Sequence, residues 1–285
     1  MDISLASYHF TGAAFAIGYA LVSAPLAVYG GICADDIGSR DVLLSYALSL
    51  ARQLQVHSLE LRQLEPGQDL PVKELYIIFR KEIDSDPAKN MAAIPRKQRR
   101  MVRQGDKYSL HVCVGGEELL KGDYQIYAHS VRNLGTPVYP YKLFAYFLQE
   151  CGPACRIFAV LHNEDMLAGV TTFFFRDQVL PYYGGAFQYA VNDFMYWQFM
   201  CYAAERRYRV LDFGGRKPGT GSYDCKRHWG FDPLPLPYQY YLVRQRTLPD
   251  LHPLNAKLSL PMKMWKRLPL WCTQWLGPKL GRFFP

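Results

Sequence analysis

The stretch Leu180–Phe231, LPYYGGAFQYAVNDFMYWQFMCYAAERRYRVLDFGGRKPGTGSYDCKRHWGF, organises the reading of the chain. Val179–Tyr183 has the composition of a buried strand, and the paired Gly184–Gly185 predict a sharp turn that closes it. Phe194, Trp197, Phe199, Met200, Ala203 and Ala204 then recur at helical spacing, with Asn192 or Asp193 available as N-cap. Arg209–Phe213 reads as a second short strand that breaks at Gly214–Gly215 into the basic loop Arg216-Lys217-Pro218-Gly219-Thr220-Gly221. A short helix with Asp224, Lys226, Arg227 and Trp229 follows, and Gly230 ends it. Strand, helix, strand, basic Gly-rich loop and helix make an α/β unit suited to hold an anion at a helix N-terminus.

These residues resemble the FemAB/FemX aminoacyltransferases, and among them the FemAB-like proteins associated with exosortase/PEP-CTERM systems. The similar pieces are LPYYGG (180–185), NDFMYW (192–197), LDFGGRKPGTGSYDCK (211–226), HWGF (228–231), RKQRRMVRQG (96–105) and SVRNLGTP (130–137). The resemblance runs from about Leu21 onward. It implies an α/β fold of tandem GNAT-like (acyl-CoA N-acyltransferase-like) domains with mixed sheets.

Working outward, Leu26–Gly31 (LAVYGG) echoes Leu180–Gly185 at a spacing of 154 residues, and a helical run and a short strand follow both. This predicts two similar halves. The first would start only about 25 residues before its YGG, so it is shortened at its N-terminus or degenerate. Leu75–Ile83 reads as a strand, Ala88–Gln104 as a helix interrupted by Pro95, and Tyr108–Val114 as a closing strand. Glu117–Val131 and Tyr141–Glu150 read as helices, Arg156–His162 and Met166–Arg176 as a hairpin, and Leu236–Val243 as the last strand. The expected division is 1–114 for the first half, 115–245 for the second, and 246–285 for a basic Trp- and Pro-rich tail.

A net charge of +8 in 285 residues, with 49% hydrophobic and 15% aromatic residues, fits packed domains with an anionic partner and excludes a disordered chain. The seven cysteines are scattered without metal-site spacing, which predicts reduced thiols, a cytoplasmic setting and no metal. Phe10–Ile32 lacks charge and is long enough to span a bilayer. Its glycines and proline, and the absence of a preceding base, predict instead two buried strands with a turn. After Asp250 there is no acid, while Lys257, Lys263, Lys266, Arg267, Lys279 and Arg282 alternate with Trp265, Trp271 and Trp275. This composition suits either peripheral contact with an anionic inner membrane through 257–283 or packing on the protein's own body.

Acyl transfer to an amine needs a held donor and a stabilised oxyanion, and no nucleophile elbow of the GxSxG type occurs. The family implies that Lys226 faces the active centre, and Arg216 is expected beside it as a second catalytic cation. Lys217, Gly219 and Gly221 are candidates to grip phosphate, with Asn192, Asp193 and Tyr183 at the cleft. Arg96, Lys97, Arg99 and Arg103 form a basic run that can hold a donor or acceptor phosphate, and Asn133 and Thr136 match a family turn. A Cys225–His228 nucleophile is a weaker alternative. Arg216-x-x-Gly219-x-Gly221 matches the RxxGxG pyrophosphate loop of acetyl-CoA enzymes, but falls one strand–helix step too late. The family implies a cytoplasmic acyltransferase that uses aminoacyl-tRNA as donor co-substrate, with no cofactor. It implies as acceptor an amine on a nucleotide- or lipid-linked cell-envelope or exopolysaccharide precursor. An acyl-CoA or acyl-carrier thioester donor, or a non-catalytic binding protein on a degenerate fold, are the alternatives.

Overall fold

The structure, a computed structural model, describes residues 10–15, 18–64, 67, 69–187, 189–249 and 256–281. By packing, the chain forms two compact units. One contains Met1–Ile77, Pro235–Asn255 and Leu280–Pro285, and the other Ile78–Leu234 and Ala256–Lys279.

In the first unit β1 (Phe10–Phe15) and β2 (Gly18–Ser23) pair antiparallel, from Phe10↔Ser23 to Phe15↔Gly18. The first part of the uncharged N-terminal run is therefore a pair of antiparallel strands, and among the described residues no helix is long and apolar enough to cross a membrane. Asp36 caps α1 (Ile37–Gln53) by accepting the Ser39 N–H at 2.8 Å. Leu44, Ala47 and Ala51, at spacings of three and four, bury one face of α1 on Leu59 and Leu61 of β3 (Ser58–Leu61). β3 lies between β2, to which it is parallel, and β10 (Pro233–Leu242), to which it is antiparallel. Leu26–Gly31 is no strand. It holds only an isolated bridge from Gly30 to Arg62, because Ala24 and Leu26 both have positive φ and turn the chain. The LAVYGG echo is thus a likeness of sequence without the strand of its counterpart.

β4 (Val72–Glu82) leads into the second unit. There α2 (Pro87–Ala93), α3 (Arg96–Lys107), β5 (Leu110–Gly115), α4 (Glu117–Leu134) and α5 (Tyr141–Cys151) precede the antiparallel strands β6 (Cys155–His162), β7 (Asp165–Phe175) and β8 (Gln178–Ala186). α6 (Tyr189–Glu205), β9 (Val210–Arg216) and α7 (Gly221–His228) complete the segment quoted at the outset. The strand order is β9-β8-β7-β6-β5, with the end of β4 beside β9. β5, the expected closing strand of the first half, pairs antiparallel with β6.

Strand alternation covers both faces of this mixed sheet. Ile157 and Ala159 of β6 pack under α4 and α5 with Tyr124, Tyr127 and Phe144. Phe158, one residue out of phase, stacks on Phe199 of α6 with ring centroids 4.0 Å apart. α3 lies on α6, where a Cβ at Gly105 would overlap the Phe194 ring. α8 (Ala256–Arg267) and α9 (Leu270–Gly281) pack near the end of α4, Met262 against Gly135 and Gly277 against Val138.

Two expectations for the central stretch are corrected. Gly184 and Gly185 do not turn the chain, for β8 runs through them to Ala186. They pair with Val170 and Gly169, and side chains there would overlap the β7 backbone and Ser130 of α4. Gly214–Gly215 likewise lie inside β9 rather than breaking it.

Candidate functional site

β8 and β9 are parallel neighbours, yet they pair only at Gln178↔Val210 and Val179↔Leu211. Past that point β8 continues to Ala186 and β9 to Arg216 without a shared ladder. Beyond the end of β9 lies the basic loop. Gly219 has φ of +76°, a conformation that glycine adopts without strain, and Gly221 has open space where a Cβ would stand. Thr220 is N-cap of α7, but its hydroxyl donates to the Lys217 carbonyl at 2.8 Å, so no side chain caps the first turn. Those N–H groups, with half-buried Arg216 and Lys217 beside them, make a helix end whose chemistry suits an anion. The Arg216 guanidinium donates to its neighbour's carbonyl, Gly215 O, at 2.8 Å.

Behind the loop stands Lys226, 2% exposed. Its Nζ donates to Tyr196 Oη and lies 3.7 Å from the Tyr196 ring centroid and 4.0 Å from that of Phe213. Burial, then the nearby Arg216 charge, push its pKa well below the ordinary lysine value, and Cys225 and Asp193 oppose that. The expected position facing the active centre is therefore an enclosed one, behind Tyr196 and Phe213. Tyr196 is itself pushed up by burial. Burial also raises the Cys225 thiol despite the adjacent Lys226, which disfavours the thiolate a Cys225–His228 nucleophile needs.

Asp193 accepts the Trp229 indole N–H at 2.6 Å, and its carboxyl is raised by burial against the pull of Trp229, Lys226 and Lys97. Asn192 and Asp193 are not N-caps, because α6 starts at Tyr189 and both lie in its first turns. One helical turn places Asp193 and Tyr196 on the same side of α6, where they meet Trp229 and Lys226. Lys97 brings the start of α3 into this group, and Gly230 abuts Pro95. Arg96, Lys97 and Arg103 are exposed and Arg99 half-exposed.

Three expected residues stand elsewhere. Tyr183 sits in an aromatic cluster on the α4–α5 face, stacked on Phe147 with centroids 5.9 Å apart and edge-on to Tyr127 and Phe144. Asn133 accepts from the adjacent Arg132 at 2.9 Å, and Thr136 is exposed after the left-handed Gly135 cap of α4.

Sequence reasoning passed over Tyr196, although its spacing of three from Asp193 was available. It also passed over Asp123 of α4. That carboxyl is fully buried, with Oδ2 accepting from Thr171 at 2.8 Å and Oδ1 without a hydrogen-bond partner. Desolvation pushes it up to about 7. A Cβ at Gly169 would overlap it.

The fold has known counterparts. Residues 88–227 match the family profile described as the acetyltransferase (GNAT) domain. The second unit carries a GNAT-like fold. FemX superposes with a TM-score of 0.57 at 14% identity, covering 84% of this chain and 89% of that one. The C-terminal domain of a putative lysylphosphatidylglycerol synthetase from Agrobacterium fabrum gives 0.60 at 11% identity, over 84% and 81%. L-PGS from Bacillus licheniformis gives 0.57 at 11%, over 92% and 85%. No curated protein matches the chain at sequence level.

Proposed function

We propose that this protein is a FemAB-type acyltransferase of tandem GNAT-like build, which moves an aminoacyl group onto an amine of a cell-envelope or exopolysaccharide precursor. The observation that carries the reading is the uncapped start of α7 with Arg216 and Lys217, set beyond the parting of β8 and β9. The phosphate-bearing end of the donor lies on Lys217, Gly219 and Gly221, and its acyl arm runs between the strands. The acceptor nitrogen attacks the ester carbonyl; the new C–N bond forms, the C–O bond to the donor breaks, and the amine proton ends on the leaving hydroxyl. Arg216 steadies the negative charge that builds on the carbonyl oxygen. Lys226, enclosed, acts through Tyr196 and the charge balance of Arg216 and Asp193, while the α3 bases Arg96, Lys97, Arg99 and Arg103 extend the phosphate grip.

Aminoacyl-tRNA is preferred over acyl-CoA because the β8–α6 connection, where acetyl-CoA enzymes grip pyrophosphate, has no base between Arg176 and Arg206. An exosortase-linked surface context and a cytoplasmic protein working at the inner membrane, held there through 257–283, belong to the same reading. Thermal shift with aminoacyl-tRNA, acyl-CoA and a UDP-linked muropeptide tests it, with the Arg216→Ala/Lys217→Ala variant as control. Stabilisation by aminoacyl-tRNA that the variant loses is the expected result. Stabilisation by acyl-CoA alone overturns the tRNA-dependent mechanism, and a shift that the variant keeps moves the site off the loop.

A further inference from the structure

α9 is amphipathic in the reverse sense. Thr273 and Gly277, four residues apart, face inward and are buried, while Trp271 and Trp275 are 69% and 64% exposed. On α8 the pair Leu260 and Met264 is exposed in the same manner. A helix that hides a threonine and a glycine and shows two indoles to solvent has its apolar partner outside the fold. Among the described side chains of these helices, the bases Lys263, Lys266, Arg267 and Lys279 are all exposed, and the chain has no acid after Asp250. Lys279 Nζ lies 3.6 Å from the Trp275 ring centroid, the pairing of an indole and a base that suits a headgroup layer.

Next to this face is a cleft of about 490 Å³ lined by Lys121, Tyr124, Gln125, Tyr141, Lys142 and Gln274, together with Pro140 and Pro278. Gln274 and Pro278 each follow one of the exposed tryptophans by three positions, so the cleft and the indoles occupy adjoining rows of α9. Gln274 holds one wall in place through its 3.2 Å bond to Gln125 of α4. Lys121 and Lys142 are exposed, and neither has an ion pair among the described residues. Two uncommitted ammonium groups and phenol-bearing walls, beside an indole-rich face, complement one occupant: an anionic phosphodiester at the top of an apolar layer.

We propose that the cleft between α4, α5 and α9 seats the headgroup of an anionic phospholipid, while Trp271 and Trp275 enter the acyl boundary, docking this unit on a membrane surface. The proposal rests on the reading of 257–283 as the membrane contact and is independent of the transfer chemistry. Co-sedimentation of the full chain at physiological salt tests it, with vesicles of phosphatidylcholine alone and of phosphatidylcholine with phosphatidylglycerol at three to one. The variants are Lys121→Ala/Lys142→Ala and Trp271→Ala/Trp275→Ala, all exposed positions, with circular dichroism confirming that each is folded.

The wild type is expected to sediment only with the anionic vesicles. The lysine pair should weaken this roughly thirtyfold, equal to about 2 kcal/mol, the contribution of two bases at an anionic surface. The tryptophan pair should weaken it as well. A lysine variant that binds like the wild type, with the tryptophan variant failing, overturns the cleft and leaves the membrane contact standing. A wild type that ignores anionic vesicles overturns both, even if free glycerol phosphate binds the soluble protein.

Discussion

Replacing Asp123 by asparagine should flatten the pH dependence of folding stability. The carboxyl is fully buried between α4 and β7, one oxygen accepts from Thr171, and the other has no hydrogen-bond partner. The Thr171 hydrogen bond favours the charge, but burial outweighs it, so desolvation raises the group from 3.8 to about 7. The folded state therefore holds a proton that the unfolded chain releases near pH 4. Its contribution to stability is complete below pH 4 and is lost as the pH rises through 7. The gap amounts to about 4 kcal/mol in all, of which roughly 2.5 kcal/mol falls between pH 5 and pH 8. Urea unfolding of wild type and Asp123→Asn at several pH values in that window isolates the effect, since histidines common to both cancel in the difference. The asparagine amide carries its own cost where Oδ1 stands, but that cost does not vary with pH. The wild type should lose roughly 2.5 kcal/mol relative to the variant between pH 5 and pH 8. A difference that stays level across the window would refute the reasoning.

Two further perturbations follow from the same packing logic. Gly169→Ala should destabilise the fold by about 1–3 kcal/mol, because the new methyl overlaps Asp123; in an Asp123→Ala background the penalty should largely vanish, which a double-mutant cycle by urea unfolding reads directly. Trp229→Phe keeps the ring packing but removes the donor that Asp193 accepts at 2.6 Å, so unfolding at neutral pH should show a loss of about 1–3 kcal/mol, smaller in an Asp193→Asn background.

The elements were legible in the sequence wherever periodicity and end signals agreed. The pair α2–α3 split at Pro95 and the β6–β7 hairpin fall within a few residues of their expected bounds. The misreadings share one physical cause. Gly184–Gly185 and Gly214–Gly215 were read as turns because glycine permits turns. In this fold the first pair is required by close approach of β7 and α4, which is a property of neighbours distant in sequence. The start of α6 was misplaced for a related reason: Asn192 and Asp193 have the chemistry of caps, yet Asp193 is committed to Trp229, 36 residues away. The site was legible as a string but not as a depth. Arg216, Lys217, Asp193, Lys226 and Lys97 do come together, whereas Tyr183, Asn133 and Thr136 belong to other faces. No local pattern distinguishes a lysine that faces substrate from one shut behind two rings.

That enclosure makes Lys226 the sharpest test of how the site is built. An ammonium held between Tyr196 and Phe213, with Arg216 adding repulsion, is disfavoured in its charged form. A methionine of similar length would fill the same space without that burden, and replacing buried charge by apolar volume is often neutral or stabilising. What the substitution removes is one of two partners of the Tyr196 hydroxyl, Cys225 remaining, a lost hydrogen bond worth about 0.5–1.5 kcal/mol. Lys226→Met alone should therefore lose about that much stability, and Lys226→Met/Tyr196→Phe should recover most of it by urea unfolding. If Lys226 serves the site only from behind, donor affinity should fall far less in the double variant than in Arg216→Ala/Lys217→Ala. Should the double variant be as stable as wild type yet bind donor as poorly as the loop variant, the amine must reach substrate directly, which would require the Tyr196 side chain to swing aside when donor binds.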